Sequence, residues 1–313
     1  MTIAAGFKVR EGILLCADTR LTGDIKLDRS KLQEVEVNPG VKTVFAFAGD
    51  EYLARMAIEE CRDNLRSQLE ENSSLQKLKS VIRGTLKVLI ADCPDYHLQL
   101  LIGVRIDSDL RLLAAYDALV KEVETYECIG SGDQIAHYVL NKSFKYFDTL
   151  SLTRFRATHA LLAAKDINEP CGGHSEMILL CADGSVEKQA PRPTALIEES
   201  ITKYESLSAE VLWTLFDRGM DDSQFNLNFQ CFYGAISELR KRYRTYCEGL
   251  DMLSNLPELP QQPDEVNGLP DVISDIAGYG GATAPAYGLP DQNARIRTPD
   301  ASGVRPPSAS DTQ

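Results

Sequence analysis

Two short apolar runs, residues 2–9 and 13–19, flank Arg10-Glu11-Gly12, a pattern that predicts a strand, a tight glycine turn and an antiparallel return strand. Residues 32–37 alternate loosely and Asn38-Pro39-Gly40 makes a turn. Residues 43–48 are almost continuously apolar, as in a strand buried on both faces. These four runs read as the opening of one sheet. From Asp50 to about residue 69, Leu53, Met56, Ala57 and Cys61 recur at helical spacing, with Asp50 as N-cap, and residues 75–91 repeat the helical pattern. Strands return at 97–104, 110–115 and 123–129, the last ending in Gly130-Ser131-Gly132.

Helices are predicted at 133–143 and 152–164, and a hairpin follows, with strands at 176–181 and 185–188 joined through Asp183-Gly184. Strands, two helices, strands, two helices, strands is a segregated order. It favours an α+β fold with helices on the faces of largely antiparallel sheets. Residues 208–219 and 223–249 read as two further helices. The second carries Phe225, Phe229, Phe232, Ile236 and Leu239 on one side, placed to pack on the domain rather than to hold a cofactor.

Past Gly249 the composition shifts. Nine of the fourteen prolines fall in residues 251–313, among glycines, serines and acidic residues, so an acidic, disordered tail is expected there. The domain is taken as residues 1–250, with a core of 2–190 and C-terminal helices over 191–250. A net charge of −13 excludes a nucleic-acid partner, and the one dense basic run, Arg240-Lys241-Arg242-Tyr243-Arg244, is spread round a helix. No apolar stretch is long enough for a membrane span and no signal peptide is readable, so a cytoplasmic protein is expected. The eight cysteines form no C-x-x-C pair, so neither a zinc site nor a redox motif is predicted, and no cofactor or metal is implied.

The candidate chemistry begins at Thr2. Once Met1 is removed, this residue holds both a hydroxyl nucleophile and an α-amine to activate it. A turn at 10–12 sets Asp18, in Ala17-Asp18-Thr19-Arg20-Leu21-Thr22, level with the start of the first strand. Lys31 enters the next strand, and Phe47-Ala48-Gly49-Asp50 runs a buried strand into a helix start, where a glycine amide can approach substrate. Each alone has an ordinary reading: a turn aspartate, a solvated lysine, a common strand-to-helix junction.

In this order, with Gly130-Ser131-Gly132 and with Asp166 ahead of Cys171-Gly172-Gly173, these residues resemble the proteasome β-subunit family of N-terminal nucleophile hydrolases, including the bacterial HslV-type peptidases. The resemblance covers about residues 2–190. It implies a four-layer αββα sandwich and a threonine-type endopeptidase that cleaves peptide bonds inside a homo-oligomeric ring or related multimer. Carried over by motif, Thr2 is the nucleophile and its amine the base, Lys31 tunes that amine, and Asp18 holds Lys31. The Gly49 amide stabilises the oxyanion, and Ser131 with Asp166 forms the shell around the amine. Substrate lies extended between the segments at Thr22 and Gly49, with Leu21 and Phe47 lining an apolar pocket.

The chain departs from the family in three places. The segment between Asp18 and Lys31 is about three residues short, which leaves Lys26 as an alternative lysine. Cys171 stands where a serine is usual, and Asp166 is set about two residues farther from it. Maturation is expected to need only methionine removal. Two other readings stand beside the peptidase: an amidase of the same fold acting on a small molecule, and a non-catalytic, proteasome-like structural subunit. Ring size, natural substrate and any ATP-dependent unfoldase partner are not given by the resemblance.

Overall fold

The computed structural model describes residues 2–21, 27–38, 40–69, 73–94, 97–144 and 149–254. The fold is a mixed α/β arrangement of antiparallel sheets and helices. The first sheet holds β1 (Ile3–Lys8), β2 (Gly12–Asp18), β10 (Tyr126–Gly130), β11 (Ser175–Cys181) and β12 (Val186–Lys188), in the order β10-β1-β2-β11-β12. The second holds β5 (Leu32–Asn38), β6 (Val41–Gly49), β7 (Leu98–Ile106), β8 (Asp109–Tyr116) and β9 (Leu119–Val123), in chain order. A two-stranded ribbon, β3 (Arg20–Leu21) with β4 (Leu27–Asp28), bridges them in sequence.

The four opening runs therefore do not make one sheet. The first two belong to one sheet and the next two to the other, and the ribbon carries the chain across.

Period-two alternation explains why several strands read as continuously apolar. On β6, Phe45 and Phe47 join the core beneath helices α1 (Glu51–Gln68) and α2 (Leu75–Asp92), while Val44, Ala46 and Ala48 join a second core shared with the first sheet. On β2, Ile13, Leu15 and Ala17 enter that shared core. Leu14 and Cys16 face a third core, to which α3 (Asp133–Ser143) and α4 (Leu150–Ile167) contribute Ala136, Leu140, Ala157 and Leu161. Each buried aliphatic or aromatic side chain contributes roughly 1.5–3 kcal/mol.

The helix starts are capped as polar residues before apolar stripes lead one to expect. Asp50 accepts a hydrogen bond from the Leu53 amide at 2.8 Å, and Thr149 caps α4 in the same way.

Two elements depart from expectation. The run at 123–129 is two strands, β9 and β10. Only Val120 and Val123 of β9 are buried, so its Lys121-Glu122 centre hides the alternation. Helix α5 (Pro191–Phe216) begins well before residue 208, because the prolines of Pro191-Arg192-Pro193 sit in its first turn, where no amide needs a helical partner. Helix α6 (Asp222–Ser254) runs four residues into the expected tail, and residues 255–313 lie outside the described residues, as does Pro39 of the expected turn. Among the described residues no helix is long and apolar enough to cross a membrane.

Candidate active site

The β1–β2 hairpin brings the two ends of the site together. Its register pairs Ala4 with Ala17, so Ile3 falls opposite Asp18 and Thr2 sits just beyond the strand. Thr2 is 3% exposed, Asp18 0% and Lys31 1%. In the full chain the Thr2 nitrogen is still a peptide nitrogen bonded to Met1, and it stands where the α-amine would be.

Asp18 is the hub. Its Oδ1 accepts from Thr2 Oγ1 at 2.7 Å, from the Ile3 amide at 3.1 Å and from Lys31 Nζ at 2.6 Å, and its Oδ2 accepts from the Gly172 amide at 2.8 Å. Lys31 also donates to the Arg20 carbonyl at 2.5 Å. Burial pulls the lysine's pKa below its ordinary value, and the Asp18 charge opposes that pull. A buried carboxylate with four donors and a buried ammonium with two acceptors is a satisfied charge pair, the condition under which such a pair survives out of water.

Lys31 is the lysine that reaches Asp18, despite the shortened segment. Lys26, its alternative, and Thr22 lie outside the described residues.

The Thr2 carbonyl is held from the other side. It accepts from the Gly132 amide at 3.3 Å and from Ser131 Oγ at 3.5 Å. Gly130 has φ +100°, and a Cβ there would lie 2.1 Å from the Thr2 oxygen, so only glycine lets the β10 end pass this close. Gly130→Ala is expected to push Thr2 off Asp18 and lower the melting temperature by several degrees. Thermal unfolding checks this, and an unchanged midpoint would contradict the contact.

Asp166 does not share this site. It is exposed near the end of α4, where partial burial and then the charge of Glu205 raise its pKa. Asn168, two residues on, reaches the site instead, donating from Nδ2 to the Ser131 carbonyl at 2.6 Å. Cys171 is fully buried, with its sulfur 3.9 Å from Ser131 Oγ, and burial followed by the nearby Asp18 charge pushes its thiol pKa up. Arg20 clamps this loop, donating from Nη1 to the Cys171 carbonyl at 3.1 Å and from its amide to the Gly172 carbonyl at 3.0 Å. The Gly172 amide, Arg20 and Asn168 are the site residues that sequence reasoning missed. The paired glycines at 172–173, and Arg20's place in the 17–22 segment, were their visible signals.

Gly49 closes β6 with φ +111°, and a Cβ there would lie 2.2 Å from the His97 carbonyl. The Phe47 amide donates to the Lys31 carbonyl at 3.3 Å, which ties this strand end to the lysine. The Phe47 ring is buried in the core under α1, with the Arg55 guanidinium 5.6 Å over it, and Leu21 is half-buried on the ribbon opposite Leu27. Phe47, expected to line a substrate pocket, is therefore held in the core rather than on an open wall. Among the described residues no group of three or more His, Cys, Asp or Glu stands ready for a metal ion.

No model of a known protein family matches the sequence, and no curated protein matches it. Solved structures do. The Anbu Gly-1 mutant from Hyphomicrobium sp. strain MC1 superposes with a TM-score of 0.59 at 14% identity, over 67% of this chain and 97% of its own. Anbu from Yersinia bercovieri, described as an ancestral beta-subunit, gives 0.56 at 16% over 69% and 97%. The helical assembly of the Anbu complex from Pseudomonas aeruginosa gives 0.52 at 14% over 83% and 99%. These similarities show the fold, which is that of Anbu proteins. They correct the sequence-based resemblance: the neighbours are proteasome-like but distinct from HslV.

Proposed function

We propose that this chain is a threonine-type endopeptidase in which Thr2, freed of Met1, attacks peptide bonds within a homomultimer. The observation that carries the reading is the buried chain Thr2–Asp18–Lys31, a hydroxyl, a carboxylate and an ammonium joined at 2.7 and 2.6 Å. A buried, mutually bonded lysine and aspartate are a functional-site candidate, and here they converge on the Thr2 hydroxyl. With Met1 gone, the α-amine, which titrates near about 8 when unperturbed, is the base that takes the hydroxyl proton through water, and the Lys31 charge lowers its proton affinity.

The Thr2 oxygen then bonds to the scissile carbonyl carbon, and the Gly49 amide donates to the resulting oxyanion. Collapse expels the amine half of the substrate with the proton taken from the hydroxyl. Water cleaves the remaining ester and restores the threonine. Ser131, held by Asn168, steadies the Thr2 carbonyl, and Leu21 borders the side-chain pocket.

We also read the three cores as the boundaries of a four-layer αββα order, with the site at one edge of the two sheets. The helical assembly formed by the Pseudomonas neighbour supports the multimer.

The test combines intact mass with an electrophilic probe that forms a ring with both the hydroxyl and the amine of an N-terminal threonine. The expected product lacks Met1 and carries one adduct on Thr2. An active preparation that retains Met1, or a chain lacking Met1 that takes no adduct, would sink the mechanism, the second outcome favouring a structural subunit.

A further inference from the structure

Gln99 interrupts the otherwise apolar run 98–104 of β7. Its ladder partners are Ala48 on β6 and Tyr116 on β8, and directly paired residues share a face. Ala48 belongs to the core between the two sheets and Tyr116 packs against it, so Gln99 points out of the second sheet toward the first. A polar side chain on such a face needs a partner.

The partner lies across the gap. Strand β10 ends the first sheet, so among the described residues no strand bonds the amides that it turns away from β1. Side chains take two of them: the Cys128 amide donates to Glu127 Oε1 at 3.3 Å, and the Gly130 amide donates to Gln99 Oε1 at 2.7 Å. Glu127 is on β10 itself. Gln99 reaches over from the other sheet.

Both ends of this bond touch the site. Gly130 is the residue whose missing Cβ lets β10 close on the Thr2 carbonyl, and the bonds from Ser131 and Gly132 to that carbonyl follow directly after it. On the other side, Leu98 pairs with Gly49, and the His97 carbonyl occupies the space where a Gly49 Cβ would stand. Leu98 is itself fixed, its amide donating to Asp117 Oδ1 at 3.1 Å and its carbonyl accepting from the Asp117 amide at 2.8 Å. Residues 97–99 therefore join the strand end at Gly49 to the strand end that cradles Thr2.

We propose that Gln99 is a positioning residue for the hydrolysis: its bond to the Gly130 amide sets how far Thr2 stands from the Gly49 amide, so that nucleophile and oxyanion donor meet one carbonyl group. It touches neither substrate nor Thr2 in doing so. The role rests on the reading above, in which Thr2 is the nucleophile. A glutamine suits it because the two strands belong to different sheets: asparagine ends one methylene short, and leucine offers no acceptor. Misplacing a reacting atom by about 1 Å costs on the order of a hundredfold in rate, so a modest drift of the β10 end is enough.

Three variants separate the contributions. Gln99→Leu keeps the bulk and loses the acceptor, Gln99→Asn keeps the amide and loses the reach, and Gln99→Glu keeps both, because a carboxyl group accepts whether or not it is protonated. The readouts are the rate at which the electrophilic probe modifies Thr2, followed by intact mass, and kcat and KM on fluorogenic peptides. Gln99→Leu and Gln99→Asn are expected to lower kcat and the probe rate at least about tenfold. KM should stay within about twofold, because the backbone ladder that fixes Gly49 is untouched. Gln99→Glu should remain within about threefold of the parent in both rates. Circular dichroism should be unchanged, since Gly130 is only half-buried and water can take its amide. Parental kcat in Gln99→Asn, or a glutamate variant no better than the asparagine one, overturns the proposal while the nucleophile reading stands. A rise in KM alone overturns it too, making Gln99 part of the substrate groove. A parent chain lacking Met1 that takes no adduct on Thr2 overturns the reading above and the role of Gln99 with it. The comparison of asparagine with glutamate decides the matter even where the leucine variant does not fold.

Discussion

Thr2→Ala is expected to lower peptide hydrolysis at least a thousandfold and to abolish labelling by a threonine-directed probe, while the protein stays folded. Loss of a nucleophile that works together with its base removes most of the rate enhancement, because the remaining groups have nothing left to activate. The structural cost is small by comparison. Asp18 loses one hydrogen bond to a charged acceptor, about 1.5–3 kcal/mol, and keeps those from the Ile3 amide, Lys31 and the Gly172 amide.

Thr2→Ser keeps both hydroxyl and amine and should stay within about tenfold of the parent, for want only of the methyl group that fixes the rotamer. The comparison is decided by kcat/KM on a panel of short fluorogenic peptides, with thermal unfolding run in parallel. If Thr2→Ala remains active, the hydrolysis comes from elsewhere and the buried pair has a purely structural role.

How far the site was readable follows from how far each contact reaches along the chain. Asp18 opposite the start of β1 was legible because a turn at 10–12 fixes the register of a two-strand hairpin, and a period of two does the rest. Lys31 was legible only through its motif. Nothing local says that its ammonium crosses to Asp18, and the ribbon that brings it there pairs Arg20 with Asp28 in a stretch too short to show a pattern.

The Gly172 amide reaches Asp18 from 154 residues away, and no periodicity encodes such a contact. Asp166 shows the opposite failure. It precedes Cys171 as the motif expects, but it lies exposed in the last turn of α4, and Asn168, which ends that helix, reaches the Ser131 carbonyl instead.

The fold shows the same division. Strands β2 and β6 were plain because both of their faces are buried, whereas β9 was hidden by its polar centre. Sheet membership could not be read at all. The continuous apolar runs that announce a doubly buried strand look alike in either sheet, and only the bonding partners separate β1–β2 from β5–β6. The hairpin of α5 and α6 misled in a different way: its aromatic spacing is that of a helix against a core, but Phe229 is half exposed and Tyr233 more so.

Asp18→Asn is expected to destabilise the protein by about 3–5 kcal/mol at pH 7, the cost of leaving a buried charge without its partner. At roughly 2–4 °C per kcal/mol for a domain of this size, that is a fall of about 6–20 °C in melting temperature. The deficit should depend on pH with a definite sign. Burial lowers the Lys31 pKa and the Asp18 charge opposes the fall, so removing that charge lets the folded-state pKa drop further. Between that lowered value and the ordinary 10.5, the unfolded chain binds the proton that the folded chain has released, and stability therefore rises with pH across the window. The variant should recover part of its deficit between pH 7 and pH 10, while the parent, whose lysine keeps its carboxylate, changes less. Denaturant titrations at the two pH values decide it. Lys31→Met combined with Asp18→Asn should be less destabilised than the sum of the single changes, because the double variant buries no charge at all. Strict additivity, or a deficit equal at both pH values, would mean that Lys31 is not held as a charged group against Asp18, and the tuning of the Thr2 amine would fall with it.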